Sequence, residues 1–240
     1  MGQAGSPWLF AIDGIEVGLL YRHAAVEDHD VRYVRLGGDG TPRSTSRIVG
    51  GGTNAAVSSD RGGFQPRAVR VAGHVLFTER RGSDSGCYTI RVMDLDGRNA
   101  EDAPWQLPCA ADGGYADGPV ITWIHQLVSV PGAAVIVWYE RTNVSGGIIT
   151  DPASYREGLF AVMLTEDGKR GSAMMRLTTP DFTAAGLDAA GTRVTANDTD
   201  VQVAADGNNV FATWIDRRAP DAPSPPAGYH ARMVRCVVDP

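Results

Sequence analysis

The sequence predicts an all-β fold made of repeated antiparallel sheets, and three observations lead to this prediction. Short apolar runs recur along the chain and end in charged residues that include an arginine. Asp-Gly pairs, which favour tight turns between antiparallel strands, follow the first three of these runs. Segments that keep apolar residues at helical spacing for three turns are nearly absent.

The apolar runs define one strand of a repeating unit. They are VGLLYRH at 17–23, VLFTERR at 75–81, VIVWYERT at 135–142 and VFATWIDR at 210–217. Further strand-like runs precede them at 8–12, 65–71, 119–127 and 201–205, and follow them at 31–36, 88–95, 159–165 and 230–238. Outer strands come next at 45–49, 104–108 and 173–179. We therefore predict a single domain, 1–240, with four-stranded meanders as units near 8–50, 64–110, 118–180 and 200–240.

The apolar run of the third unit is apolar on both faces of its predicted strand. Val135 and Val137 lie on one face, and Ile136 and Trp138 lie on the other. In a two-sheet sandwich each strand buries one face, so its sequence alternates between apolar and polar residues. Sheets stacked around a common axis bury both faces, which predicts a β-propeller of about four blades.

The last unit has three predicted strands, one fewer than the others. A propeller normally pairs or covers its sheet edges, so a blade that is one strand short needs an explanation. Two alternatives stay open. Four blades close imperfectly, or the chain belongs to a larger ring that a protein partner completes.

The repeats resemble those of sialidase-like propellers of the BNR type. The resemblance is carried by VFATWIDRR, a variable loop and then YHARMVRCVVD, and it covers most of the chain in four passes. It implies a propeller fold. The Asp-box of that family, Ser-x-Asp-x-Gly-x-Thr-Trp, is absent, because RGSDSGCYT has Asp84 and Gly86 but Gly82 at the serine position. The arginine triad of the family is not assigned, because candidate arginines recur in every unit.

Charged residues that recur at the ends of the apolar runs are predicted to be structural. A group present in every blade belongs to the scaffold, so we expect ion pairs and hydrogen bonds between blades or at strand ends. These residues are Glu79, Arg80, Glu140, Arg141, Asp216 and Arg217.

Residues that do not repeat are the candidates for function. Asp28 and Asp30 lie beside His29, and Asp112 and Asp117 lie on a glycine-rich loop. Either pair offers oxygen ligands for calcium, although an ordinary turn is the favoured interpretation of both loops. No other cofactor is expected. Aromatic candidates for a binding face are Tyr115, Trp123 and Tyr229.

Charge and hydropathy exclude some classes of partner. A net charge of -6 opposes general binding to nucleic acid or anionic lipid. No apolar run approaches the roughly 18 residues of a membrane-spanning helix, and the first residues lack the pattern of a secretory signal.

Two cysteines flank a predicted hairpin. The turn at 96–99 lies near the midpoint between Cys87 and Cys109, so these residues would face each other across an antiparallel ladder. The alternatives are a disulfide and two buried thiols. A disulfide would favour an extracellular or cell-envelope location.

Two functions from different classes remain. One is a non-catalytic propeller that binds a protein or a glycan through its loop face, as a binding or scaffold subunit. The alternative is a sialidase-like glycoside hydrolase or lyase, which needs two carboxylates about 5 to 10 Å apart in the central funnel. The missing Asp-boxes and the lack of a non-repeated acid pair favour binding.

Overall fold

The computed structural model describes residues 3–24, 29–51, 67–80, 88–107, 120–142, 144–145, 148–149, 156–177, 201–216 and 230–238. These ranges contain strands and turns and no helix. The first sheet consists of β1 (Gln3–Ala11), β2 (Glu16–Ala24), β3 (His29–Gly37) and β4 (Arg47–Gly51). The second consists of β5 (Ala68–Val71), β6 (His74–Arg80), β7 (Tyr88–Asp94) and β8 (Glu101–Asp102).

The second half of the chain repeats this plan. The next strands are β9 (Val120–Val130), β10 (Ala133–Thr142), β11 (Val144–Ser145), β12 (Ile148–Ile149), β13 (Arg156–Thr165) and β14 (Met175–Arg176). The third sheet has the order β9-β10-β13-β14, and β11 and β12 form a separate small hairpin. The fourth sheet consists of β15 (Val201–Asp206), β16 (Asn209–Asp216) and β17 (His230–Val237). In the described ranges it has three strands, one fewer than the other sheets, as the sequence predicts.

The four sheets are stacked as the blades of a β-propeller, which confirms the predicted fold. The first strand of each sheet, called here its inner strand, packs against the inner strand of the next sheet, in the order β1, β5, β9 and β15. Hydrogen bonds join these neighbours: Trp8 Nε1 donates to the carbonyl of Ala68 at 3.1 Å, and Ser129 Oγ donates to that of Arg70 at 2.8 Å.

The middle strand of the third sheet is buried on both faces, as its apolar pattern predicts. Val137 contributes to the core shared with the fourth sheet, whereas Trp138 contributes to the core shared with the second. Both side chains are 0% exposed. The Trp138 ring lies between Phe160 of its own sheet, with centroids 6.0 Å apart, and Trp105 of the second sheet, 5.9 Å away. Neighbouring sheets therefore supply the cover that each middle strand requires.

The predicted Asp-Gly turns form, and two of them dock on the preceding sheet. Gly40, Gly97 and Gly168 have φ of 79°, 73° and 74°, a left-handed conformation that glycine adopts without a steric penalty. A Cβ added to Gly97 would lie 2.6 Å from the Tyr33 ring of the first sheet. A Cβ added to Gly168 would lie 2.6 Å from Cβ of Ala103, in the second sheet's outer segment. At Gly40 the added atom would meet nothing within 4 Å.

Polar contacts strengthen the first of these docked turns. Tyr33 Oη donates to the carbonyl of Leu95 at 2.9 Å. Arg35 donates through Nη1 to Asp96 at 2.7 Å and also pairs with Glu16 on its own sheet. Burial raises the pKa of the Tyr33 phenol, so the hydroxyl stays protonated and remains a donor. Both interactions connect the first sheet to the turn of the second.

The outer strand of the second sheet differs from its prediction at 104–108. The strand is β8, at 101–102. Beyond it the Ala103 amide donates to the Ile90 carbonyl at 2.8 Å, and the chain then pairs with β7 through a side chain. Gln106 Oε1 accepts from the Ile90 amide at 2.8 Å, and Gln106 Nε2 donates to the Ile90 carbonyl at 3.0 Å. Pro104 has no amide hydrogen to give to a ladder, and past Ala103 the Gln106 side-chain amide continues the pairing with Ile90.

No helix in the described ranges is long and apolar enough to cross a lipid bilayer.

Replacing the turn glycines tests whether these turns are docked. Gly40→Ala should cost about 1 kcal/mol, since only the left-handed backbone is penalised. Gly97→Ala and Gly168→Ala should cost more, because the new methyl group also collides with the preceding sheet. Denaturant unfolding of the three variants measures the difference. Equal losses at the three positions would contradict docking of the second and third turns.

Candidate functional site

The strand directions place the longest connections, which follow β4, β8, β14 and β16, at one end of the propeller. Arg70 of β5 donates to the carbonyl of Ile12 at the close of β1, and Gln126 of β9 lies 3.4 Å from the carbonyl of Val201 in β15. With the bonds from Trp8 and Ser129, these contacts show that the inner strands run in the same direction. The connections that follow β2, β4, β6, β8, β10, β14 and β16 therefore start at the same end, called here the loop end. The connections at the opposite end, called the turn end, span at most nine residues, as after β3 and β13.

A buried ion pair lies near the loop end of the second sheet. Glu79, the penultimate residue of β6, is 3% exposed, and its Oε2 lies 3.2 Å from Nη1 of Arg91 in β7. Arg91 also donates to the carbonyl of Ala100 at 2.8 Å. Gly50 of β4 makes room for the carboxylate, because a Cβ there would lie 2.6 Å from Glu79 Oε2. A buried charge needs a partner of opposite sign, and Arg91 supplies it.

An aromatic and a cationic side chain join the first two sheets beside this pair. The Arg67 guanidinium carbon lies 4.3 Å from the centroid of the Trp8 ring, a cation–π geometry. The Arg67 amide donates to Thr78 Oγ1 at 3.0 Å, and the Thr78 amide donates to the Arg67 carbonyl at 2.8 Å. These bonds fix the start of β5 against β6. The loop end of this junction is therefore held by polar as well as apolar contacts.

The described part of the predicted calcium loop carries an ion pair. Asp30, at the start of β3, accepts from Arg32 Nη2 at 3.2 Å, so one carboxylate oxygen is already engaged by a cation. Its register partner on β2 is His23. No group of three or more His, Cys, Asp or Glu side chains in the described ranges is arranged to hold a metal ion. Asp28, Asp112 and Asp117 lie outside those ranges.

The structure places several repeated charged residues at equivalent positions. Arg80 and Asp216 are the last residues of β6 and β16. Glu140 and Arg141 directly precede Thr142, the last residue of β10. All four backbones therefore lie at the loop end of their sheets. Their predicted ion pairs remain predictions, and Arg217 lies outside the described residues. Trp123 belongs to β9, whereas Tyr115 and Tyr229 also fall outside the described ranges.

Irregular strand pairing is also found toward the loop end. The register shifts between Gly5 and Trp8 in β1 and between Val31 and Arg32 in β3. A third shift lies between Trp138 and Glu140 in β10. Bulges bend a strand and change the direction of nearby side chains. The first and third sheets thus depart from a regular ladder on the side that carries the longer connections.

Four structurally important residues were not predicted from the sequence. Trp8, Arg35, Arg67 and Arg91 make the contacts between or within the first two sheets that are described above. A detectable signal was present for two of them, because Arg35 and Arg91 interrupt the apolar runs VRYVRL and YTIRVMDL. An arginine in a largely buried strand requires an acceptor, and the acceptors proved to be Glu16, Asp96 and Glu79.

No family model matches the chain, and no curated protein matches it either. Solved structures with a similar fold include a neuraminidase-like protein of subtype N10 from A/little yellow-shouldered bat/Guatemala/060/2010, at 8% identity and a TM-score of 0.44, covering 91% of this chain and 52% of that one. A levansucrase mutant of B. megaterium has 12% identity and a TM-score of 0.44, covering 98% and 66% of the two chains. An endo-arabinase from Bacteroides thetaiotaomicron has 13% identity and a TM-score of 0.44, covering 97% and 75%. The chain spans about half the length of the first of these proteins. Likenesses of this extent assign none of the three named activities to it.

Removing Glu79 tests the buried ion pair. Glu79→Ala should lower the free energy of unfolding by about 3 to 5 kcal/mol, because Arg91 would keep its charge in a site that is 14% exposed. The loss should be smaller when Arg91 is already Met, since no buried cation is then left behind. Denaturant unfolding of both single variants and the double variant measures this coupling.

Lys169→Met provides the matched control. Lys169 pairs with Asp167 at 2.5 Å on the surface, with side chains 66% and 45% exposed. Its loss should cost less than about 1 kcal/mol. Two results would contradict a structural role for the Glu79–Arg91 pair. One is an equal loss of unfolding free energy in Glu79→Ala and Lys169→Met, and the other is strict additivity of Glu79→Ala and Arg91→Met.

Proposed function

We propose that the protein is a non-catalytic β-propeller subunit that recognises a protein or a glycan through its loop end. The observation that carries the proposal is the separation of the two ends: the longest connections, after β4, β8, β14 and β16, start at one end, and those at the other end span at most nine residues. Binding residues are commonly presented by loops on a rigid scaffold. Tyr115, Trp123 and Tyr229 belong to the segments that would form this face and are the proposed aromatic contacts.

Two carboxylates described near the loop end are engaged by arginines, which supports binding over catalysis. A glycosidase needs one carboxyl group that exchanges a proton and a second that acts as base or nucleophile. Glu79 is nearly inaccessible and paired with Arg91, and Asp30 is paired with Arg32. An arginine partner occupies the carboxylate oxygens that a proton or a substrate would have to reach. These two acids therefore suit a scaffold better than an acid–base pair.

Substitution of the proposed aromatic contacts tests this function. The purified protein is applied to an array of immobilised oligosaccharides, and the glycans that bind are titrated by calorimetry. Trp123→Ala and Tyr229→Ala should each weaken binding roughly tenfold or more, as the loss of an aromatic contact does at recognition sites. Ile15→Ala is the control, because Ile15 is 75% exposed and lies at the turn end.

The same preparation is incubated with chromogenic aryl glycosides and with uronate-containing polysaccharides. We expect no release of the chromophore and no unsaturated products. Turnover that exceeds the buffer blank would replace this proposal with the hydrolase or lyase alternative. Glycan binding that is equally reduced by Ile15→Ala would contradict recognition through the loop end.

We further propose an extracellular or cell-envelope location, supported by the predicted Cys87–Cys109 disulfide. Both cysteines lie outside the described residues. Among the described residues Cys236 is a free thiol, and burial raises its pKa. Peptide mapping of protein isolated from its native source without reductant should find Cys87 and Cys109 in one linked peptide pair. Recovery of both as alkylated thiols would remove the support for this location.

A further inference from the structure

In the described part of the chain, the two terminal sheets of the row each have one face on which no other sheet packs. In the first sheet this outer face includes Leu9 at 61% exposed and Ile48 at 60%, with Leu19 half-buried between them. In the fourth sheet it includes Met233 at 68% and Val237 at 57%. Exposed apolar side chains that share one sheet face are characteristic of an interaction surface.

The repeat shows what normally covers the outer face of the first sheet. When the apolar runs are aligned on Arg22, Arg80 and Arg141, Leu19 corresponds to Phe77 and to Trp138. Phe77 packs against the first sheet and Trp138 against the second, and each is 0% exposed. The outer face of the first sheet is therefore the side that receives a preceding sheet. Among the described strands, none packs there as β1 packs on β5.

The outer face of the fourth sheet is the side on which, in the other sheets, the following sheet packs. Thr213 corresponds to Val137, which the fourth sheet covers, and Met233 is the register partner of Thr213. The same register position in the first two sheets is occupied by Arg35 and Val92. Arg35 contacts Asp96 in the next sheet's Asp-Gly turn, and Val92 lies against Gly168 in the turn after that. Met233 therefore occupies the register position that, in the first two sheets, contacts the Asp-Gly turn of the next sheet.

Of the three turns that contain Gly40, Gly97 and Gly168, the one at Gly40 makes no such contact. Gly97 and Gly168 are in close contact with the preceding sheet, whereas an added Cβ at Gly40 would meet nothing within 4 Å. Within the described residues β15 packs on β9, and no comparable packing joins β15 to β1. The described residues thus present both halves of the blade junction, and within one molecule these halves do not pack against each other.

We propose that a second copy of the chain supplies the missing cover by head-to-tail association. The outer face of the fourth sheet of one copy packs on the outer face of the first sheet of the next, with Met233 against the turn at Asp39 and Gly40. This junction continues the three sheet-to-sheet junctions already present in each copy. Arg235, exposed on the fourth sheet's outer face, provides a cation near the exposed acid Asp39. Such an association forms a closed ring when the rotation between copies closes, and an open array otherwise.

Light scattering after size exclusion tests the association with the full chain. The wild-type protein should elute as a multiple of the 25.5 kDa chain mass, with a share of oligomer that rises with concentration. Leu9→Glu and Met233→Glu should each weaken association at least tenfold, roughly the effect of burying an unpaired charge at the centre of an interface. Met174→Glu is the matched control, because Met174 is 48% exposed and lies in the third sheet's outer connection.

Mixing the two variants distinguishes this junction from other modes of association. Leu9→Glu keeps an intact fourth-sheet face, and Met233→Glu keeps an intact first-sheet face. Each variant should be monomeric alone, and an equimolar mixture should form a one-to-one complex through the remaining good junction. Circular dichroism and thermal melting check that both variants are folded.

Three results would overturn the proposal. They are a monomeric wild-type protein at all concentrations, oligomers that neither Leu9→Glu nor Met233→Glu affects, and a mixture of the two variants that stays monomeric. A monomeric wild type would leave the two faces to a β-sheet from outside this sequence. None of these results bears on glycan binding at the loop end, which is measured separately.

Discussion

The structure depends on the requirement that every middle strand be covered on both faces. Val137 and Trp138 are adjacent in sequence, and successive side chains of a strand point to opposite faces. Both are fully buried, so one sheet must lie on each side of the strand. At about 25 cal/mol for each Å² of apolar surface removed from water, side chains of this size contribute several kcal/mol when they are covered. The serial stacking of the sheets is a consequence of this burial.

This requirement also accounts for the distribution of polar groups. Where two sheets meet, the remaining backbone and charged groups must find partners because water is excluded. Tyr33 and Arg35 donate hydrogen bonds to Leu95 and Asp96 in the docked turn. The Gln106 side chain bonds the Ile90 amide and carbonyl, next to Pro104, which has no amide hydrogen to donate. Glu79 and Arg91 neutralise each other close to the loop end. The polar contacts therefore follow the apolar junctions and determine how the sheets fit together.

The sequence predicted the repeated parts of the fold and missed the contacts that are specific to one junction. The middle strands were found because apolar runs such as VIVWYERT have no polar face, and the turns because Asp-Gly favours a left-handed glycine. The pairing of Arg91 with Glu79 depends on two residues that are distant in sequence and adjacent across a strand pair. Trp8 and Arg67 are separated further still, so the sequence pattern alone could not bring them together. The prediction of an outer strand at 104–108 was wrong. There the Gln106 side chain makes the hydrogen bonds to Ile90 that a strand backbone would make, and strand patterns in the sequence do not reveal such a replacement.

The same physical constraint separates the part of the chain that maintains the fold from the part that is free to acquire function. Residues between two sheets are limited to side chains that fill the junction, and the glycines of the docked turns accept no larger side chain without a collision. The connections at the loop end have no such restriction, since their length does not alter the packing of the strands that they join. Specific recognition can therefore change in those connections while the junctions stay the same. The outer faces of the first and fourth sheets combine both properties: they carry apolar side chains such as Leu9 and Met233, and in the described part of one copy no sheet packs on them.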